Sequence, residues 1–289
     1  MTDFVERGWV SRDGLELRAS DYAGAGGDCR LPVICLHGLT RNSKDFEEVA
    51  PRLAANGRRV LALDVRGRGR SGWDPNPANY QHKVYARDVL ELMDKLGISR
   101  AVFVGTSMGG LITITVAAIR SHAVAAAVLN DVGPEVAKAG IERILSYAGQ
   151  PATIETWDDA AEYVRRTNEV AFPDHAAVDW QAFARRTFRD DNGRPALDYD
   201  PAIAIPLAKA PIKTRSLVAS FLFRRLARRR PTLLVRGALS DLMTAEIAAR
   251  MKRSAPALRI AAIPGIGHAP MLTEPEAIAA IDEFLRTVP

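Results

Sequence analysis

The sequence predicts an α/β fold: a mostly parallel sheet of eight strands, covered by helices on both faces, with a helical block inserted late in the sheet. Three observations carry this. Short apolar runs alternate with longer stretches of helical periodicity from residue 31 onward. The inner runs are apolar throughout, as strands buried on both faces must be. The alternation then stops after residue 134 and resumes at residue 231. Residues 1–134 and 231–289 therefore read as one core, and 135–230 as a helical cap inserted between two of its strands.

Composition fits this and excludes other classes. A length of 289 residues suits one large α/β domain with an insertion. With 47% hydrophobic and 25% charged residues the chain can bury a full core. It has two cysteines, Cys29 and Cys35. Cys35 lies in an apolar run and reads as a small buried hydrophobe, not half of a disulfide. No metal-ligand spacing is present, and no cofactor is expected. The first residues lack a basic head and apolar stretch, and no run is long enough to cross a bilayer. A cytoplasmic enzyme without a membrane partner is expected. The net charge of +5 raises nucleic acid as a partner. Its densest source, Arg224 to Arg230, reads instead as the solvated end of a helix, and no nucleic-acid motif accompanies it.

The elements follow in order. Phe4–Val10 and Leu15–Tyr22 form a hairpin about Asp13-Gly14. Leu31–Leu36 is a buried strand ending at His37-Gly38-Leu39-Thr40, and a helix covers Ser43–Ala55. Arg59–Leu63 is the next strand. It ends in the glycine-rich loop Asp64-Val65-Arg66-Gly67-Arg68-Gly69-Arg70-Ser71-Gly72, where Asp64 is expected to brace the loop. A helix over Asn79–Leu96 carries Glu91 and Lys95 at pairing distance and stops at Gly97. Ala101–Val104 is a strand, Leu111–Ala118 a buried helix, and Ala123–Leu129 a further strand. In the block, helices cover Val136–Ala148, Glu155–Ala171, a stretch capped by Asp174, and Leu217–Leu226. Asp191-Asn192-Gly193 is a turn, and no strand is expected in the block. Thr232–Val235 resumes the sheet, a helix starts from the cap Thr244, and Leu258–Ile263 is the last strand. Thr273-Glu274-Pro275-Glu276 reads as a capping box opening the final helix.

The chemistry centres on Gly105-Thr106-Ser107-Met108-Gly109, between a strand and a helix. That context makes Gly-x-Ser-x-Gly a nucleophile elbow, with glycines where a Cβ would collide with neighbouring elements. A serine needs a base, and the base needs an orienting acid. Reactive groups in such a sheet sit on loops beyond the strands' C-terminal ends. Of five histidines only His268 lies on a loop after a late strand; His37 reads as a structural hydrogen-bonding residue. Asp241, after the first strand beyond the block, is the expected acid, in the order Ser, Asp, His. Asp131 also ends a strand and is the alternative. The oxyanion amides are expected from Met108 and from Leu39.

These motifs resemble those of a capped α/β-hydrolase. His37-Gly38-Leu39, Asp64-x-Arg66-Gly67-x-Gly69-x-Ser71, the elbow, Ser240-Asp241 and Gly267-His268 stand in that family's order over nearly the whole chain. The resemblance implies a triad of Ser107, Asp241 and His268 under a cap that closes over the pocket. Serine at the elbow departs from the dehalogenase and epoxide-hydrolase branches, which carry Asp there. His37-Gly38-Leu39-Thr40 lacks the Gly-Pro-Gly of the proline iminopeptidases and the Ser-Gly-Pro-Gly of many carbon–carbon bond hydrolases. The expected activity is hydrolysis of a small or medium carboxylic ester or lactone. Carbon–carbon bond hydrolysis, thioester hydrolysis or acyl transfer on the same triad is the alternative, and a non-catalytic binding protein of this fold is the alternative of another class. Substrate identity and assembly state are left open. Trp157, Trp180, Tyr147, Tyr163, Phe183 and Phe221 are candidates for the pocket wall, although their helical spacing favours the block's own core.

Overall fold

The computed structural model describes residues 4–27, 30–150, 154–209 and 214–289; Cys29 lies outside them. Up to the block the chain forms β1 (Val5–Val10), β2 (Glu16–Tyr22), β3 (Val33–Leu36), α1 (Val49–Ala55), β4 (Val60–Asp64), α2 (His82–Lys95), β5 (Ala101–Thr106), α3 (Met108–Ile119) and β6 (Val124–Asn130). The block adds α4 (Lys138–Tyr147), α5 (Trp157–Asn168), α6 (Ala177–Thr187), β7 (Phe188–Asp191), β8 (Arg194–Leu197), α7 (Ala204–Lys209) and α8 (Leu217–Ala227). The chain closes with β9 (Thr232–Gly237), α9 (Ala245–Ser254), β10 (Arg259–Ile263) and α10 (Pro275–Arg286).

Eight strands make one sheet in the order β1-β2-β4-β3-β5-β6-β9-β10. The β1–β2 and β2–β4 pairs are antiparallel and the rest are parallel. The inner strands β3, β4, β6 and β9 are buried at every position, whereas the edge strand β10 exposes one side. Alternate side chains feed two apolar layers. Ile34, Leu36, Leu61 and Leu63 pack with α2, α3, α8 and α9. Val33, Cys35, Val60 and Ala62 pack with α1 and α10 on the other face. Cys35 is a free, buried thiol, as its apolar run implies.

The block lies between β6 and β9, as the break in alternation indicates, but it is not uniform. Its last helix, α8, packs with α3 in a core layer through Phe223 and Leu226. Tyr199 and Ile203 join the same layer, while α5, α6 and the segment between them build a small core of their own from Val164, Phe172, Trp180, Phe183 and Phe188.

Several local expectations are corrected. The block contains a hairpin, β7–β8. Its turn uses Asn192 and Gly193 at φ 55° and 88°, the left-handed pair that a two-residue hairpin requires. The first helix is split: Ser43–Phe46 is a 3-10 turn capped by the Asn42 side chain, and α1 follows. Glu91 and Lys95 do not pair. Glu91 accepts from the Arg12 amide at 3.0 Å and Lys95 donates to the Gly8 carbonyl at 3.3 Å. The helix assigned to Asp174 starts beyond Ala176, and α10 begins after Glu274 with Pro275 in its first turn but no side-chain cap. Thr244 caps α9 as expected, accepting from the Ile247 amide.

Candidate active site

The elbow is built from close backbone approaches. A Cβ on Gly109 would lie 2.1 Å from the Leu36 carbonyl oxygen of β3, and one on Gly105 would lie 2.5 Å from the Gly109 backbone. Only glycine lets β3, β5 and α3 meet there. Between them Ser107 adopts φ 50° and ψ −113°, a strained conformation for a residue with a side chain. Its amide donates to the Asn130 carbonyl at 2.9 Å, which fixes the turn against β6.

His268 lies on the loop after β10. Its Nε2 is 3.0 Å from the Ser107 hydroxyl and its Nδ1 is 2.8 Å from Asp131 Oδ2. The carboxylate accepts at Nδ1, so the proton sits there and the Nε2 lone pair faces the serine. An imidazole held in this way can take the serine proton.

The acid at the histidine is Asp131, which corrects the expectation of Asp241. Asp131 is fully buried, sits at φ 53° just past β6, and also accepts from the Gly237 amide at 2.8 Å and the Ser240 hydroxyl at 2.5 Å. Asp241 is turned toward the block. Its two oxygens accept from Arg143 of α4 at 2.6 and 2.8 Å. Burial raises its pKa, but Arg143 outweighs that and holds the carboxyl below the ordinary value. Both aspartates follow adjacent strands, β6 and β9, and either position is near the histidine loop. The left-handed turn at Asp131 and the arginine opposite Asp241 decide between them.

The two residues expected to supply oxyanion amides flank the serine. Met108 opens α3, where amides have no intrahelical acceptor and the helix dipole favours negative charge. The Gly38-Leu39 loop runs beside the serine, since a Cβ on Gly38 would be 3.9 Å from Ser107 Cβ. His37 braces this loop, donating from Nδ1 to the Gly38 carbonyl at 2.7 Å and accepting the Val65 amide at Nε2 at 3.1 Å. Burial pushes its pKa down to about 4, so it stays neutral. Asp64 braces the glycine-rich loop as anticipated, accepting from Ser43 and Arg70.

Ser107 and His268 open into a cavity walled by the core loop at Leu39 and Arg41 and by the block. Of the six aromatic candidates, Tyr147, Tyr163 and Phe183 line it. Trp180 belongs to the block's core, Trp157 packs against that core, and Phe221 is 57% exposed. Tyr199, Arg41 and Asp45 also line the cavity, and no periodicity marked them. Among the described residues no group of three His, Cys, Asp or Glu is placed to hold a metal ion.

Comparison with known proteins follows the same lines. A family model described as the alpha/beta hydrolase fold matches residues 32–275. The 3-hydroxybutyrate-oligomer hydrolase of Cupriavidus necator is 34% identical over 280 residues, spanning 95% of this chain and 94% of that protein. The crystal structure of an alpha/beta hydrolase from Novosphingobium aromaticivorans is 44% identical and superposes with a TM-score of 0.90 over 99% of both chains. E-2-(Acetamidomethylene)succinate hydrolase shares the fold, with a TM-score of 0.82 at 24% identity over 99% of this chain and 100% of that one.

Proposed function

The chain belongs to the α/β-hydrolase family, and we propose that it is a cofactor-independent serine hydrolase of carboxylic esters whose triad is Ser107, His268 and Asp131. The observation that carries this reading is the bonded chain from Ser107 through His268 to Asp131, beside two candidate oxyanion amides. The relative named for 3-hydroxybutyrate oligomers supports a short hydroxyacid ester as the first substrate to try.

In this mechanism Ser107 Oγ attacks the ester carbonyl carbon as its proton passes to His268 Nε2. Asp131 stabilises the imidazolium and holds its orientation. The oxyanion rests on the Met108 and Leu39 amides; losing one such donor costs about two to three orders of magnitude in rate. His268 then delivers the proton to the departing alcohol. Water, deprotonated by the same nitrogen, attacks the acyl-serine; the acyl–oxygen bond breaks, the proton passes from His268 to Ser107 Oγ, and the acid leaves. The part of the block lining the cavity acts as a cap that shapes the acyl pocket.

The test is turnover of p-nitrophenyl butyrate by the wild type and Ser107→Ala. A loss of at least about a thousandfold is expected. Equal rates in the two proteins overturn the assignment.

A further inference from the structure

Three tyrosines converge on the cavity from separate elements of the block. Tyr147 comes from the end of α4, Tyr163 from α5, and Tyr199 from the segment after β8. Tyr199 is only 2% exposed, and its buried hydroxyl has no hydrogen-bond partner among the described residues. The Tyr163 phenol and the Gly149 amide are polar neighbours of that hydroxyl but fall short of hydrogen-bond geometry. A buried hydroxyl left in that state is costly, and native proteins retain few of them.

Two carboxylates near the phenols are already engaged. Asp45, which lines the same cavity, is already held by Arg41 through Nε at 3.1 Å to both oxygens. Asp241, beyond Tyr147, is held by Arg143. Burial raises the pKa of all three phenols, so they remain donors at neutral pH. A buried phenol without a partner, beside two further phenols on one cavity wall, calls for a bound molecule that brings oxygen.

We propose that Tyr147, Tyr163 and Tyr199 form a subsite for a second oxygen function of the substrate, a carbonyl or a carboxylate carried beyond the scissile ester. The substrate class is then an oligoester or half-ester of a short hydroxyacid or diacid, in preference to a plain alkyl ester. The inference rests on the ester-hydrolase reading above and specifies its substrate. An alkyl chain of equal length would bury the same phenols against methylenes and leave them unpaired.

Three p-nitrophenyl esters of similar acyl length test this: hexanoate, 3-acetoxybutyrate and the monoester of glutarate. The wild type is expected to show kcat/KM at least about tenfold higher for one of the oxygen-bearing esters. Preference for 3-acetoxybutyrate identifies a carbonyl, and preference for the glutarate ester a carboxylate. Tyr199→Phe and Tyr163→Phe should abolish the preference, read as the ratio of kcat/KM between the oxygen-bearing ester and hexanoate within each protein. Removing an unpaired hydroxyl should also leave thermal stability equal or raised. Equal turnover of all three esters, or equal loss on all three in the variants, overturns the subsite while the ester-hydrolase reading stands. Calorimetry of the 3-hydroxybutyrate dimer on Ser107→Ala, with and without Tyr199→Phe, makes the test independent of turnover. Weakening of less than about threefold there overturns the subsite as well.

Discussion

Arg68 donates its Nε–H to the Leu39 carbonyl at 2.9 Å from a fully buried guanidinium that pairs with no carboxylate among the described residues. Its remaining donors go to the Arg66 carbonyl at 2.8 Å, the Tyr85 hydroxyl at 3.0 Å and the Met108 sulfur at 3.5 Å. One buried cation therefore touches both residues whose amides are proposed to hold the oxyanion. A positive charge in such a setting stabilises developing negative charge more than it would in water. Arg68→Lys keeps the charge but not the fork, and Arg68→Met keeps the bulk but not the charge. kcat on p-nitrophenyl butyrate is expected to fall about tenfold in the first and about a hundredfold in the second, with KM within about threefold. Unchanged kcat in folded Arg68→Met, judged by its melting curve, removes the electrostatic role.

Asp131 and Asp241 should separate cleanly. Asp131→Asn presents a donor to His268 Nδ1 and favours the wrong tautomer, so kcat should fall on the order of 10⁴. Asp241→Asn disturbs only the Arg143 contact with the block and should keep activity within about tenfold. Steady-state kinetics of both variants decides the matter, and a larger loss in Asp241→Asn reverses the assignment.

Gly109→Ala is expected to prevent folding. The new methyl would sit 2.1 Å from the Leu36 carbonyl oxygen of β3 and 2.6 Å from its carbonyl carbon, backbone that cannot swing aside. Destabilisation above about 4 kcal/mol, seen as insoluble expression or loss of the cooperative melt, is the expected result. A soluble Gly109→Ala protein with a normal melting temperature contradicts the close approach of α3 to β3.

His37 ties stability to pH. Its folded pKa, about 4, lies below the ordinary value of 6.5, so the unfolded chain binds a proton that the native state refuses. Stability contributed by neutral His37 is complete above about pH 6.5 and is lost as pH falls toward 4, by roughly 3 kcal/mol at most. In His37→Gln the stability at pH 7 drops because the Gly38 and Val65 bonds go, but its decline between pH 6.5 and 4 is shallower. Guanidinium unfolding at three pH values in that window measures the difference in slope, and parallel curves show that His37 titrates normally.

The core was legible where periodicity and glycine placement were under strong constraint. Every core strand, and every core helix but the split first one, is found near its expected span, because buried strands must be apolar and helices must show one apolar stripe. The elbow was legible because only glycines fit beside Ser107. The hairpin β7–β8 was not, since Arg189-Asp190-Asp191 lacks an apolar alternation and only the Asn192-Gly193 turn announced it. Asp241 was expected beside His268, where Asp131 stands, because loop position does not reveal side-chain direction, and nothing near Arg143 in sequence marks it as the partner of Asp241. Tyr199 and Arg68 escaped notice because their roles depend on which neighbours the fold brings, not on local pattern.

The position of Asp131 ahead of the inserted block bears on how the reactive centre is assembled. Ser107 and Asp131 sit on adjacent strands joined by α3, in one contiguous strand–helix–strand unit whose ends are tied by the Ser107 amide to the Asn130 carbonyl. His268 arrives 137 residues after Asp131. Two of the three groups are thus arranged by local folding, while the third waits for the C-terminal strands to dock across a long loop closure. With the proposed triad, a chain with β10 detached is expected to carry an unactivated serine. Acquisition of fluorophosphonate reactivity during refolding is then expected to report the docking of β10.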